Sequence, residues 1–243
     1  MSNLQPLSYN KHRALGWRPV VPPVLVDHSQ DTVPVAFDEL IRLSCRMPVV
    51  LGLAEGPSAP MIPLGAFERR AGALVDGSGY WQPEAVPKAL RSGPFEPVST
   101  PEGEIAMVDE HVLLPLATEE RGVVPIFESE MNLSAHTRQE IAEVLAWRRG
   151  RVEARAAAQA LEAKGCLREI RLGNLSVRVV DEDRLAQTEG VELDELHRVG
   201  ALRLAHMSAV SLGTLVTEAR AGRQPEAAQG TSSFLAAMRE ALE

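Results

Sequence analysis

The segment from Trp81 to Phe95 carries the residue types best suited to holding a ligand. It combines two aromatic rings, several prolines and one arginine within a short stretch. Proline-stiffened aromatic segments either fill a core or line a groove for an extended peptide or an apolar ligand, and Arg91 beside them could bind a carboxylate. We therefore predict that five of these residues bind a ligand or protein partner, with core filling as the alternative: Trp81, Pro87, Arg91, Pro94 and Phe95.

We add His206 to this predicted binding set. It lies four residues from both Leu202 and Val210, on an apolar stripe of a predicted core helix. A histidine buried on such a stripe is more often a structural group than a catalyst. Ser211 is five residues further on, in a different direction at about 100° per residue, so a serine–histidine dyad on this helix is not expected.

Asp109 and His111 are weak candidates for metal ligands. They follow a predicted strand ending at Val108, and alternation along that strand would place them on one face, with Glu110 on the other. A site with two histidines and a carboxylate needs a further histidine, and the chain shows no convincing partner. A solvated turn, in which the aspartate caps the next helix, is the alternative. We predict no cofactor, and the sequence assigns no residue a catalytic role.

The charge balance argues against nucleic acid as a partner. The chain has 243 residues, with 25 Lys+Arg against 33 Asp+Glu and a net charge of -8. An acidic chain repels phosphate backbones unless its basic residues cluster. The densest basic stretch, 147–151 with Arg155 one turn later, lies among Glu140, Glu143 and Glu153, and we interpret it as a solvated helix face.

The remaining composition indicates a cytoplasmic protein without membrane insertion. The first residues lack the basic start and apolar core of a secretory signal. No stretch approaches the roughly 20 apolar residues that a membrane helix needs. Cys45 and Cys166 have apolar neighbours and fit reduced, buried thiols, with one long-range disulfide as the alternative.

Proline divides the chain into two parts of different character. Of 17 prolines, 16 lie between Pro6 and Pro125, and proline cannot donate to a helical or sheet ladder. We predict an α+β fold, in which a β-rich half (1–130) packs on a helical half (131–220) that includes a small hairpin. We expect one domain over 1–220, followed by a linker and tail over 221–243 with either a short helix or disorder.

Individual elements follow from periodicity and turn residues. The strands are predicted at 24–26, 47–53, 104–108 and 123–127, with a hairpin pairing 167–172 with 175–180 around Gly173-Asn174. Three helices are predicted, and the first and last span 37–43 and 193–219. The second begins with a capping box at 137–140, bends at Gly150 and ends with a C-cap at Gly165.

Four short motifs follow one another along the chain. The first is Pro48-Val49-Val50, and Trp81 followed by the run 86–95 (VPKALRSGPF) is the second. Val108-Asp109-Glu110 is the third, and 196–206 leading to Ser211-Leu212 is the last. In this order they resemble the motifs of the bacterial SapC-like family. The resemblance covers about residues 5–220; at 92–93 this chain has Ser-Gly where the family usually has bulkier residues.

The resemblance implies an accessory role rather than a reaction. Proteins of this family are often labelled peptide-transport or permease components, a description that does not suit a chain without a predicted membrane helix. Their genes commonly lie near TonB-dependent receptors, halogenase-like flavoproteins and iron/2-oxoglutarate hydroxylases. We therefore predict a non-enzymatic accessory protein that binds a peptide or other small molecule, or a protein partner. The alternatives are an iron- or zinc-dependent enzyme and an assembly component that forms a homodimer.

Overall fold

The structure, a computed structural model, describes most of the chain. The described residues are 4–26, 31–64, 74–91, 93–100, 103–116, 122–172 and 175–221. Of the predicted linker and tail over 221–243, only residue 221 lies within these ranges, and the predicted turn at Gly173-Asn174 lies outside them.

Twelve strands and six helices are described within these ranges, and together they confirm the predicted α+β class. The strands are β1 Leu4–Pro6, β2 Leu15–Trp17, β3 Thr32–Pro34, β4 Met61–Pro63, β5 Phe95–Thr100, β6 Gly103–Asp109, β7 Leu114–Pro115, β8 Val124–Pro125, β9 Phe127–Ser129, β10 Asn132–Leu133, β11 Leu167–Leu172 and β12 Leu175–Val180. The helices are α1 Tyr9–His12, α2 Leu40–Ser44, α3 Ala135–Ala163, α4 Glu182–Ala186, α5 Gly190–Arg198 and α6 Ala201–Ala221, and short 3-10 turns span Lys88–Leu90 and Glu110–Val112.

The chain divides into two compact units, each made of two separate segments. Unit 1 comprises Met1–Val24 and Lys88–Arg148, and unit 2 comprises Leu25–Pro87 and Arg149–Glu243. Helix α3 contributes its residues up to Arg148 to unit 1 and the rest to unit 2. The single domain over 1–220 stays a prediction.

Unit 1 is built on small antiparallel sheets. One has the order β1-β6-β5, another β7-β2-β8, and β9 pairs with β10. Their shared core contains the buried side chains of Trp17, Phe95, Val108 and Ile126. The rings of Trp17 and Phe95 meet edge to face, with centroids 5.4 Å apart, the geometry that aromatic quadrupoles favour.

The unit 1 part of α3 begins one turn earlier than the capping box predicts. The Ser134 hydroxyl accepts a hydrogen bond from the Thr137 amide at 3.2 Å, so Ser134 caps the helix. Thr137 instead lies inside the first turn, fully buried, and its hydroxyl accepts the indole N–H of Trp17 at 3.0 Å. The helix cap is therefore Ser134, one turn before the predicted capping residue Thr137.

Unit 2 contains the predicted hairpin with its predicted bounds. Strands β11 and β12 pair from Leu167↔Val180 to Leu172↔Leu175. Their inward residues join a core that also includes Val50 and Leu212. The predicted strand at 47–53 is buried but forms only isolated bridges, Val50↔Met61 and Leu53↔Val177, so its description as a strand was wrong.

The predicted helix at 193–219 is divided between α5 and α6 at Gly200. This glycine has φ +74, and a Cβ there would lie 2.8 Å from Cζ of Phe37. Only glycine adopts that backbone and leaves room for the ring. Among the described helices, none combines the length and apolar character required to cross a bilayer.

Candidate functional site

The unit boundary falls within the predicted binding segment. Trp81 and Pro87 belong to unit 2, whereas Arg91, Pro94 and Phe95 belong to unit 1. Trp81 is only 5% exposed, and its indole N–H donates to the Ala85 carbonyl at 3.2 Å. Pro87 is also buried. The ligand-binding role of these residues stays a prediction.

In unit 1, the same segment places a ring in the core and an arginine near carboxylates. Phe95 is 3% exposed, and Pro94 is half-buried. The Nε atom of Arg91 is buried and has no hydrogen-bond partner among the described residues. Its positive charge helps to hold the pKa of Glu143 below the ordinary value.

Lys88, which the sequence does not single out, lies at the centre of a buried ionic cluster. Its side chain is 5% exposed, and Nζ contacts Glu140 Oε1 at 2.8 Å and Glu143 Oε2 at 3.1 Å. Glu140 Oε1 also accepts the Gly93 amide at 2.9 Å. Because Glu140 and Glu143 are three residues apart on α3, they share one helix face, and that spacing was the available signal.

Glu143 is ionised more readily than an ordinary glutamate. Its pKa is lowered chiefly because Gln139 donates a hydrogen bond to it, with Lys88 and Arg91 adding favourable charge. Partial burial opposes this shift. The Glu143 carboxylate is thus suited to hold Lys88 rather than to accept a proton in a reaction near neutral pH.

His206 is exposed, contrary to the expectation that it lies in the core. The buried face of α6 carries Leu204, Ser208 and Ser211 instead. Ser208 Oγ donates to the Val49 carbonyl at 2.8 Å, and Ser211 Oγ accepts the Val49 amide at 2.9 Å. The helix is rotated from the predicted orientation because these short hydroxyls satisfy the buried backbone of residue 49. A binding role for His206 stays a prediction.

Asp109 and His111 do not converge on one strand face. The strand β6 ends at Asp109, whose side chain accepts the His111 amide at 3.1 Å and so caps the following 3-10 turn. His111 itself is exposed. The capping alternative is confirmed here and at Asp181, which accepts the Arg184 amide at 3.0 Å. Within the described ranges, no group of three His, Cys, Asp or Glu residues could hold a metal ion.

Glu110, between Asp109 and His111, contacts a buried histidine. Its carboxylate lies 3.1 Å from Nε2 of His12, a histidine only 1% exposed. Nδ1 of His12 lies 2.9 Å from the Ser8 carbonyl and 3.0 Å from the Ser8 amide. This contact joins residues far apart in sequence, and no local pattern indicated it.

The cysteines are both free thiols. Cys166 is buried, as expected, but Cys45 is exposed. The disulfide alternative is therefore wrong. Cys45 directly follows α2 and is exposed although Leu43 and Ser44 before it are buried, so apolar sequence neighbours did not ensure burial.

A cavity in unit 2 brings an apolar wall against two arginines. Its volume is about 150 Å³. Arg151 and Arg155 line it from α3, four residues apart on one helix face. The apolar lining comes from β3, β4 and the loop before β4, and includes Pro34, Val35, Leu53, Pro57, Pro60 and Met61.

Gly150 sets the position of these arginines against the wall. The Phe37 amide donates to the Gly150 carbonyl at 3.2 Å. A Cβ at Gly150 would lie 3.3 Å from the Ala36 Cβ and 3.1 Å from a carboxylate oxygen of Asp38. The glycine therefore permits close approach of α3 to residues 36–38. Helix α3 continues through Gly150, and the bend at this residue stays a prediction.

Arg178 fixes the opposite wall. Its guanidinium donates to the carbonyls of Ala54 at 2.6 Å and Gly56 at 2.7 Å. It also donates to Ser58 Oγ at 3.1 Å and pairs with Glu162 at 3.2 Å. A planar fork that binds several acceptors holds the loop 54–58 in one conformation, so the cavity is largely preformed.

The arginines of this cavity were interpreted from sequence as a solvated helix face. Arg155 is indeed exposed and Arg151 half-buried. The interpretation considered only neighbours on the same helix, whereas the apolar wall comes from residues about a hundred positions earlier. The i, i+4 spacing of the arginines was visible, but nothing local indicated what they face.

Comparison with known proteins identifies one family. A family model described as SapC matches residues 7–217. No curated protein and no solved structure matches the chain.

Proposed function

The chain belongs to the SapC family, and within that family we propose that it is a cytoplasmic, non-enzymatic accessory protein that binds a peptide or other small molecule. The observation that carries this proposal is the unit 2 cavity, where an apolar wall faces Arg151 and Arg155. Ligand sites are typically concave and mostly apolar, with a few polar groups that orient the ligand.

The rigidity of the cavity supports binding rather than a catalytic role. Three prolines line it, and Arg178 holds the loop 54–58 through two short hydrogen bonds, 2.6 and 2.7 Å long. A preformed wall lowers the entropy lost when a ligand binds. The lining contains no histidine, cysteine, serine or acidic residue among those described, the side chains that usually act as nucleophiles or general bases.

A fragment screen by ligand-observed NMR tests this proposal. The fragments include neutral and charged molecules with small apolar groups, such as indole, isobutyramide, isovalerate and N-acetyl-leucine. Ala59 lines the cavity, and Ala59→Leu places a larger side chain inside it. We expect this variant to lose binding of the fragments that bind the wild-type protein. Ala156→Leu, an exposed change on α3, is the matched control. If no fragment distinguishes the two variants, the proposal fails.

The segment 81–95 is tested in the same screen. Arg91→Ala leaves the unit 2 cavity intact, since Arg91 belongs to unit 1. If Arg91→Ala abolishes binding and Ala59→Leu does not, the ligand site is at Arg91 and the cavity is not the functional site.

A further inference from the structure

We infer that the unit 2 cavity is specific for a carboxylate attached to a short apolar group, either a free carboxylic acid or the C-terminal residue of a peptide. This inference rests on the proposed function and names its ligand class. Arg151 and Arg155 bind the carboxylate, and the wall that includes Leu53 and Met61 contacts the apolar group.

The charge of the lining selects an anion. It contains two arginines and, among the described residues, no Asp or Glu. Guanidinium groups bind carboxylates through paired N–H···O bonds, which are shorter and stronger than neutral hydrogen bonds. Since the two side chains are one helical turn apart on α3, both can reach a single anionic group at the mouth of the cavity.

The size of the cavity limits the apolar part of the ligand. Its volume is about 150 Å³, and an apolar cavity of about that size in another protein holds benzene. A leucine, valine or phenylalanine side chain fits this space. A nucleotide or a long acyl chain does not.

The shortage of backbone donors favours a carboxylate over a phosphate. Phosphate sites in proteins usually offer several backbone N–H groups from a helix N-terminus or a glycine-rich nest. Pro34, Pro57 and Pro60 line this cavity and have no N–H. The arginines approach from positions well inside α3, which begins at Ala135. Two guanidinium groups match the two oxygens of a carboxylate.

Titration calorimetry with paired ligands tests the inference. N-acetyl-leucine and N-acetyl-leucinamide share the apolar group and differ in charge. We expect the acid to bind with a Kd on the order of 0.1–1 mM and the amide at least tenfold more weakly. Arg155→Gln should weaken the acid about tenfold and leave the amide unchanged. Arg149→Gln, an exposed change on the same helix outside the lining, should alter neither.

Further ligands identify the source and the anion. 4-Methylpentanoate represents free acids and Gly-Gly-Leu a peptide C-terminus; binding of either supports the inference and shows which source is accepted. Binding of inorganic phosphate as tight as that of N-acetyl-leucine would overturn the carboxylate assignment. Equal affinity for acid and amide would also overturn it, yet the proposed binding function would stand. Absence of binding by every ligand, fragments included, would refute both.

Discussion

Replacing Lys88 with methionine should destabilise unit 1 by about 3 kcal/mol, the lower end of the cost of removing one partner from a buried ion pair. Methionine is also unbranched and only one heavy atom shorter than lysine, and it removes the charge. The Glu140 carboxylate, 12% exposed, would lose the contact with Nζ at 2.8 Å and keep only the hydrogen bond from Gly93 among the partners described here.

The lower end applies because the cluster is unevenly buried. Glu143 is 41% exposed, so water can solvate its carboxylate when the contact with Lys88 is removed, as it does for a surface ion pair. Glu140→Gln should lower the free energy of unfolding by less, about 1–2 kcal/mol. Lys88 retains its ion pair with Glu143, and the glutamine amide oxygen can still accept the Gly93 N–H. The double variant should cost less than the sum of both single changes, because it leaves no unpaired charge at Glu140.

Urea unfolding followed by tryptophan fluorescence measures these costs. The chain has three tryptophans, so a background with Trp81→Phe and Trp147→Phe leaves Trp17 as a reporter of unit 1. Trp17 is close to the cluster, since its ring would lie 3.1 Å from a Cβ at Gly93. Following one unit at a time avoids forcing a two-state analysis on a chain with two compact units.

Two results would refute this reasoning. One is a cost below about 1 kcal/mol for Lys88→Met, the range of exposed pairs. The other is additivity of the two changes within about 0.5 kcal/mol, which indicates independent sites. Lys164→Met is the matched control: Lys164 contacts Glu195 at 2.9 Å, but that carboxylate is 47% exposed. Its loss, followed by circular dichroism, should leave the urea midpoint close to that of wild type, because exposed ion pairs contribute little to stability.

The remaining predictions concern local backbone, pH and the cavity wall. Gly200→Ala should destabilise unit 2 by about 1–3 kcal/mol. Gly213→Ala places a Cβ with nothing within 4 Å of it, so thermal melts should show unchanged or higher stability. Asp181→Ala should cost about 1 kcal/mol in urea unfolding, because α4 loses its cap. Folding lowers the pKa of Glu143, so the ionised carboxylate stabilises the folded state at pH values above its ordinary pKa. This stabilisation is lost as the pH falls through the folded-state pKa. Glu143→Gln should therefore reduce the loss of unit 1 stability below about pH 4. Arg178→Lys should weaken binding of N-acetyl-leucine severalfold in calorimetry, because an ammonium cannot bind both loop carbonyls as the planar fork does.

Each of these has a contradicting outcome. Equal melts for the two glycine variants would show that Phe37 moves aside at no cost. An Asp181→Ala variant with unchanged stability in urea would show that water can replace the Asp181 side chain as hydrogen-bond acceptor at the first turn of α4. Identical acid profiles for wild type and Glu143→Gln would contradict the coupling of that carboxylate to folding. Unaltered binding by Arg178→Lys would show that the loop 54–58 is not set by its guanidinium.

The sequence predicted best where the signal is local. The hairpin of β11 and β12 has its predicted bounds, because Gly173-Asn174, residue types common in turns, separates two short runs that contain apolar residues. Strand β6, Gly103–Asp109, is one residue longer at each end than the predicted strand 104–108. The caps Asp109 and Asp181 follow from one side chain and the amides just after it.

Features that depend on distant partners were missed. Residues 49–51 are fully buried, yet among them only Val50 forms a β-bridge, an isolated one with Met61. The exposure of His206 follows from Ser208 and Ser211, which bind residue 49. Arg151 and Arg155 face a wall made by residues 34–61. Periodicity within one helix shows which residues share a face, but the neighbour that each face meets is determined by tertiary contacts.

The interleaving of the two units has a practical consequence for anyone dividing this protein. Their segments alternate along the chain, with boundaries after Val24, Pro87 and Arg148. Any single cut between Val24 and Lys88 separates the two segments of unit 1, and any single cut between Pro87 and Arg149 separates the two segments of unit 2. During synthesis, unit 1 cannot close its β1–β6 pairing until Asp109 has emerged, by which time the first segment of unit 2 has already left the ribosome and awaits residues not yet translated. A truncated gene product would thus expose unfinished cores, and a separate unit can be made only by joining its two segments with a new linker.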